Sequence, residues 1–216
     1  MVRKILVALL AALVTACSSG GGAELPDGPG LMKKAAEAMK TVKSAAFSIS
    51  TDGKPKVPVQ KADGRLTAAG DADGTITLDV LGSLQEITFA LVGDTVHFKG
   101  PTGGFQKLTR KDLAQFYDPS AILDPARGIP QLLANATDAR VEAAEGDAYR
   151  VATTFSGQSL TSLLPGVTQG VNGKVWIDQA SSRLTKVELP LQDGTVTVSF
   201  ADYDAAVTIT PPPAAG

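Results

Sequence analysis

Cysteine, histidine and aromatic residues are scarce in this chain of 216 residues, which holds one Cys, one His and one Trp, with aromatics at 5 %. One cysteine forbids an internal disulfide, and no Cys or His cluster can hold zinc. Charge of one sign is lacking too, with 20 Lys and Arg against 22 Asp and Glu. Nothing in that balance attracts nucleic acid. The long apolar run from Ile5 to Val14 has ten residues, whereas a membrane-spanning helix needs about 20. Catalytic patterns are equally sparse. His97 alternates with Thr95 and Lys99, which predicts a solvated position on the polar face of a strand, and no Gly-x-Ser-x-Gly elbow stands ready to pair with it. Asp71 and Asp73 lack the later ligands of a calcium loop and read as turn residues. Asn135-Ala136-Thr137 is a sequon of little weight, and Gly20-Gly21-Gly22 lacks the Lys-Ser/Thr of a phosphate loop. The expectation is a protein without catalytic residues, metal or cofactor.

The informative features begin at the first residues. Arg3 and Lys4 precede the apolar run, and the small residues Thr15-Ala16 follow it. That is the layout of a cleavable secretory signal over residues 1–16. The cysteine comes next, in Leu13-Val14-Thr15-Ala16-Cys17, which resembles the lipobox of bacterial lipoproteins and implies that Cys17 carries the lipid. Removing the signal takes away Arg3 and Lys4 and lowers the formal charge from -2 to -4. Residues 17–28 read as the lipidated Cys and a flexible tether, with Ser18-Ser19-Gly20-Gly21-Gly22 giving a coil. One domain is expected over 29–210, followed by a Pro-rich tail at 211–216.

Periodicity divides that domain. Leu31, Ala35, Ala38, Met39 and Val42 recur at helical spacing, so a helix is expected from Pro29 to Lys43. After Ser44 the period becomes two. Ile76, Leu78 and Val80 share one face of a strand, as do Ile87, Phe89 and Leu91, and then Val96 and Phe98. Weaker strands are expected at 46–51 and 65–69, with turns at Asp52-Gly53, Asp63-Gly64, Asp73-Gly74 and Gly93-Asp94. A helical insert follows. Thr109 with Asp112 resembles a capping box before Leu113, Phe116 and Tyr117, and Asp118-Pro119 and Asp124-Pro125 each put a capping side chain before a first-turn proline. Ile122, Leu123, Ile129, Leu132 and Leu133 supply its apolar faces. Strands resume at 140–143 and 149–155, a short helix is expected near 159–164, and four more strands at 174–178, 184–189, 195–200 and 206–210. Strands, then helices, then strands indicate an α+β fold with helices on one face of a large antiparallel sheet.

Several segments carry a family resemblance. Besides the signal and lipobox, these are Lys43-Ser44-Ala45, the stretch Phe116-Tyr117-Asp118-Pro119-Ser120-Ala121-Ile122-Leu123-Asp124-Pro125, then Leu132-Leu133-Ala134-Asn135 and Lys174-Val175-Trp176-Ile177. Together they resemble the mycobacterial LppX/LprA/LprF/LprG lipoproteins across nearly the whole mature chain. The resemblance implies a strongly bent antiparallel sheet, a half-open β-barrel similar to the LolA and LolB carriers, with helices packed over its concave face around an apolar cavity. It also implies an acylated lipid or glycolipid ligand of the triacylated glycolipid or triacylglyceride class. Anchorage at the outer face of the cytoplasmic membrane and partnership with a major-facilitator-type exporter follow from the same resemblance.

Physical chemistry sets the requirement for such a ligand. Each methylene moved from hydrocarbon to water costs about 0.8 kcal/mol, so a sixteen-carbon chain costs about 12 kcal/mol. A carrier therefore needs an apolar cavity. The candidates to line it are Ile76, Leu78, Val80, Ile87, Phe89, Leu91, Val96 and Phe98 from the strands, with Leu113, Phe116, Ile122, Ile129, Leu132 and Leu133 from the insert. The alternative is a non-carrier envelope lipoprotein, an adaptor for a membrane transporter or wall-assembly complex, in which the same residues are ordinary core.

Overall fold

The computed structural model describes residues 24–80, 82–114, 119–164 and 167–212. The signal, Cys17, most of the tether and the Phe116-Tyr117-Asp118 segment lie outside them. Helix α1 spans Gly28–Met39, opened by the Asp27 carboxylate accepting the Gly30 N–H at 2.7 Å, with a proline in its first turn. It ends before the expected Lys43. Thr41 folds its hydroxyl back to the Ala38 carbonyl, and the chain then turns into a strand at Ser44.

Eleven strands form one antiparallel sheet. Five precede the helical insert's side of the chain: β1 Ser44–Gly53, β2 Val59–Thr67, β3 Ala72–Val80, β4 Ser83–Val92 and β5 Thr95–Lys99, with the short edge strand β6 Gln106–Thr109. The other five are β7 Thr137–Glu145, β8 Ala148–Phe155, β9 Val171–Asp178, β10 Leu184–Leu191 and β11 Gly194–Ala201. Their order is β6-β5-β4-β3-β2-β1-β11-β10-β9-β8-β7, so the last strand pairs with the first while β6 and β7 remain as edges. The sheet is open, and the fold is α+β.

Between β6 and β7 lie α2 (Arg110–Leu113), a 3-10 turn at Pro119–Ala121 and α3 (Ile129–Ala134); α4 (Gly157–Thr161) follows β8. The Thr109 and Asp112 capping box forms as the sequence predicts. Asp124-Pro125 starts no helix. The Asp124 carboxylate instead accepts the Ala126 N–H at 2.8 Å and the Arg127 side chain at 2.9 Å within a turn. Nor do residues 206–210 form a strand. Ile209 is buried, and Thr210 and Pro212 lie against the outer face of β2 to β4.

The register builds the inner wall. Val141, Val151, Val175, Val187, Val198, Ile49, Ala62, Ile76 and Ile87 pair in succession across nine strands, giving one aliphatic row from β7 to β4. Core residues of α1 and α3, among them Leu31, Met32, Ala35, Ile129 and Leu133, pack with residues of that face. A second row runs Phe200, Phe47, Gly64, Gly74, Phe89 and Phe98. Its two glycines correct the expected turns at Asp63-Gly64 and Asp73-Gly74, because both lie inside strands and pair with each other. A Cβ on Gly64 would stand 2.2 Å from the Asp73 carbonyl oxygen and 3.0 Å from the Phe47 ring, and one on Gly74 2.1 Å from the Asp63 carbonyl oxygen. Only glycine permits β2 and β3 to approach this closely.

Candidate functional site

The space between the sheet and the helical layer is the candidate site. Its main cavity measures about 550 Å³. Phe47 and Ile49 of β1, Ala62 and Leu66 of β2, Ala72, Ile76 and Leu78 of β3, Phe89 of β4 and Val196 of β11 form the floor. Pro119 and Ile122 of the insert, with Leu163 and Leu164 after α4, form the roof, and Val57, Pro58 and Val59 close one side. Every lining residue among those described is apolar. A second cavity of about 60 Å³ shares Phe47, Ile49, Ile122, Leu163 and Leu164 with it and reaches on to Ile129, Leu132, Leu160, Val187 and Leu189. Among the described residues no charged group lines either space.

Local sequence explains the room. At Ala62 and Ala72 the sheet carries a single methyl group on the face that borders the cavity, where a Leu would reach into the space, and Gly64 and Gly74 between them carry no side chain at all. Interiors otherwise pack at a density of about 0.75 with few voids larger than a water molecule. Phe47 overlies Gly64, so the aromatic ring uses the glycine's missing side chain and leaves the middle of the cavity clear.

The candidate lining residues that are described divide into four groups. Ile76, Leu78, Phe89 and Ile122 border the main cavity, and Ile129 and Leu132 border the smaller one. Leu91, Val96 and Leu133 are buried core residues away from both. Ile87, Phe98 and Leu113 are half-buried and also border neither, Leu113 because α2 packs on the edge strands β5 and β6. Val80 is 48 % exposed beyond the cavity. Alternation assigns these residues their shared face, but distance along the strand decides which of them meets the space. The lining that alternation missed is Phe47, Ile49, Val57, Val59 and the pair Leu163-Leu164. Phe47 and Ile49 carry a period-two signal, whereas loop residues such as Val57 carry none.

The polar candidates also have definite places. His97 is buried at 8 % exposure between Ala90 of β4 and Lys107 of β6, in place of the solvated position expected. Its neighbour Val96 is buried as well, so β5 is covered on both faces here. Asp73 is paired with Arg65, and Asp71 lies 3.5 Å from Arg110 and accepts the Gly93 N–H at 2.9 Å. Asp73 thus serves a cross-strand ion pair, and Asp71 an ion pair and the β4–β5 turn. Among the described residues no cluster of His, Cys, Asp or Glu could hold a metal, and no helix is long and apolar enough to cross a membrane.

Comparison with known proteins places this geometry. The model of the LppX_LprAFG lipoprotein family matches residues 27–209. The chain belongs to the LppX_LprAFG lipoprotein family. A lipoarabinomannan carrier protein LprG of Mycolicibacterium smegmatis is 32 % identical over 97 % of this chain and 94 % of its own length. That of Mycolicibacterium hassiacum is 30 % identical over 97 % and 98 %. These relatives are named as carriers and not as enzymes. Among solved structures, LprF of Mycobacterium bovis superposes with a TM-score of 0.76 at 18 % identity, covering 85 % of this chain and 96 % of that one. LppX of Mycobacterium tuberculosis gives 0.63 at 20 % identity, with 84 % and 99 % covered. The family's open sheet is therefore the fold seen here.

Proposed function

We propose that this protein is a lipid-anchored carrier that takes an acylated lipid or glycolipid into the cavity between sheet and helices and moves it from the cytoplasmic membrane toward the outer envelope. The observation that carries this reading is the 550 Å³ space that the described residues wall with apolar side chains. Ligand pockets commonly measure about 300–1,000 Å³ and place a few polar groups for specificity. Among the described residues no polar side chain lines the space, which suits hydrocarbon and leaves the headgroup outside. Water is a poor occupant, because each ordered molecule needs two to four polar partners. The names of the LprG relatives support a lipoglycan or related acylated ligand. In this reading residues 1–16 are removed, Cys17 bears the anchor, and a major-facilitator-type exporter works beside it.

The test is chemical. Protein carrying Cys17→Ala is recovered from the soluble fraction of an envelope-containing host, extracted into organic solvent and analysed by mass spectrometry. Stoichiometric di- or triacylated lipid is the expected result. Protein that emerges with no lipid, and acquires none from vesicles made of envelope lipids, would overturn the carrier reading in favour of the adaptor.

A further inference from the structure

The hairpin joining β3 to β4 ends in Val80-Leu81-Gly82-Ser83-Leu84, a stretch without charge. Leu84 is 65 % exposed and Val80 48 %, the two highest values among the large hydrophobic residues described. They are separated by one turn and lie on opposite faces, since Val80 pairs with Ser83 and Leu84 with Asp79. The Asp79 carboxylate accepts the Gly82 N–H at 2.7 Å and so caps the turn, with Val80 and Leu84 extending on either side of it. Among the described residues nothing buries either side chain.

The tip continues the cavity wall. Ile76 and Leu78 border the cavity, and Val80 is the next residue on the same face of β3, beyond the point where the wall ends. Pro58 and Val59 flank this end, with Val59 opposite Leu78, Pro58 exposed and the Asp79 N–H donating to the Pro58 carbonyl at 3.0 Å. The cavity therefore reaches the surface beside the hairpin. An acyl chain leaving a bilayer for the row Val80, Leu78, Ile76 would touch apolar side chains throughout. We propose that the β3–β4 hairpin is a membrane-docking tip that enters the bilayer's interfacial zone through Val80 and Leu84 and brings the cavity opening to the lipid; this rests on the carrier reading.

A bilayer is the occupant favoured for two reasons. The exposed apolar surface described here is that of two branched side chains, too little for a stable protein interface, which buries on the order of 800 Å² per partner. Length of chain supplies the second. Nine residues separate Cys17 from Asp27, where the packed domain begins, and the ten extended steps between the two reach about 35 Å. A domain held on that leash can bring one end of its sheet to the membrane carrying its anchor. The charged residues around this end, Lys54 and Lys56 with Asp52, Asp79, Glu86 and Asp193, are mixed in sign. Docking accordingly rests on apolar contact more than on anionic headgroups.

The test uses the full lipidated chain reconstituted in vesicles of phosphatidylcholine and phosphatidylglycerol. Ser83→Cys is labelled with an environment-sensitive fluorophore, Ala180→Cys in the β9–β10 turn serves as the control site, and the unsubstituted chain serves as the labelling blank. Nitroxide-bearing lipids should quench the label at 83 and spare the one at 180. In a second arm, V80S/L84S should take up pyrene-labelled phosphatidylglycerol from vesicles at least about tenfold more slowly, the partition lost with two apolar side chains. It should still bind the water-soluble dioctanoyl lipid as the wild type does. A label at 83 that stays unquenched while the wild type takes up pyrene lipid overturns the docking tip and leaves the carrier intact. Equal losses for both lipids make the hairpin part of the cavity wall and also overturn it. A wild-type chain whose label is quenched but which binds neither lipid retains the docking tip and removes the carrier reading.

Discussion

Gly64 and Gly74 show how single residues set the spacing of the strands beneath the cavity. Both are held against backbone atoms too close to admit a Cβ. Gly64→Ala should force β2 and β3 apart and lower stability by about 1–3 kcal/mol, the usual range for overpacking. At about 2–4 °C per kcal/mol for a domain of this size, the melting temperature should fall by roughly 2–12 °C. Calorimetry on delipidated protein checks it. Ile76 offers the opposite case, because its side chain borders open space. Ile76→Trp should leave the melting temperature of delipidated protein nearly unchanged and reduce co-purified lipid at least severalfold. A variant that melts far below wild type yet keeps its lipid would place Ile76 in close-packed core. The glycines were misread as turns for a physical reason. Asp-Gly suits a tight turn and a mid-strand close approach alike, and only the partner strand, with Phe47 over one glycine, distinguishes them. His97 was misread similarly, since alternation assumes that one face of a strand meets water.

Elements are joined here by polar clasps at their ends. The Asp204 carboxylate accepts the Lys43 N–H at 2.8 Å and pairs with Arg183, the Asp204 N–H donates to the Ser44 carbonyl at 3.0 Å, and the Ser44 hydroxyl donates to the Ala205 carbonyl at 2.7 Å. This clasp fixes the end of β11 beside the start of β1, the pairing that unites the two halves of the sheet. Tyr203 seals it from the core side. Its hydroxyl donates to the Leu184 carbonyl, and burial pushes its ionisation well above the ordinary tyrosine range. The Lys43 N–H first, and the Arg183 guanidinium after it, hold the Asp204 carboxyl below the usual carboxylate range. The sign is therefore that of a depressed acid. Its contribution is complete above the unfolded value of about 3.9 and is lost as pH falls through the lower folded value. Asp204→Asn should lower the melting temperature at pH 7 by a few degrees, with the gap closing as pH falls below the ordinary carboxylate range. A gap that persists unchanged after the carboxylates have been protonated at still lower pH would deny the carboxylate that role. Such clasps leave little trace in sequence, because Lys43 and Asp204 are 161 residues apart. The capping box at Thr109 and Asp112 was legible because it is local. Asp124-Pro125 shows that the same local letters also serve a turn.

On the scale of the whole molecule, the order of strands, insert and strands in the sequence foretold an α+β sheet with helices on one face. It did not foretell that β11 would pair with β1, or which apolar residues would stand apart instead of touching. Burial patterns look alike for a packed core and for a cavity wall, since Leu91 and Ile76 both point inward and only the second borders the space. Ligand binding separates them. A ligand that binds the folded protein alone stabilises it by RT ln(1 + [L]/Kd), about 2.7 kcal/mol at one hundred times Kd. For a domain of this size that amounts to roughly 5–11 °C. Protein purified with its native lipid should therefore melt higher than the same protein after organic extraction and refolding. Adding back the extracted lipid should restore the difference in a concentration-dependent way. In Ile76→Trp the loaded and delipidated forms should instead melt within a degree or two of each other, because the indole occupies room the chains would take. If wild-type protein melts identically with and without its lipid, the lipid is bound elsewhere or not bound at all, and the apolar space beneath the sheet is not where it rides.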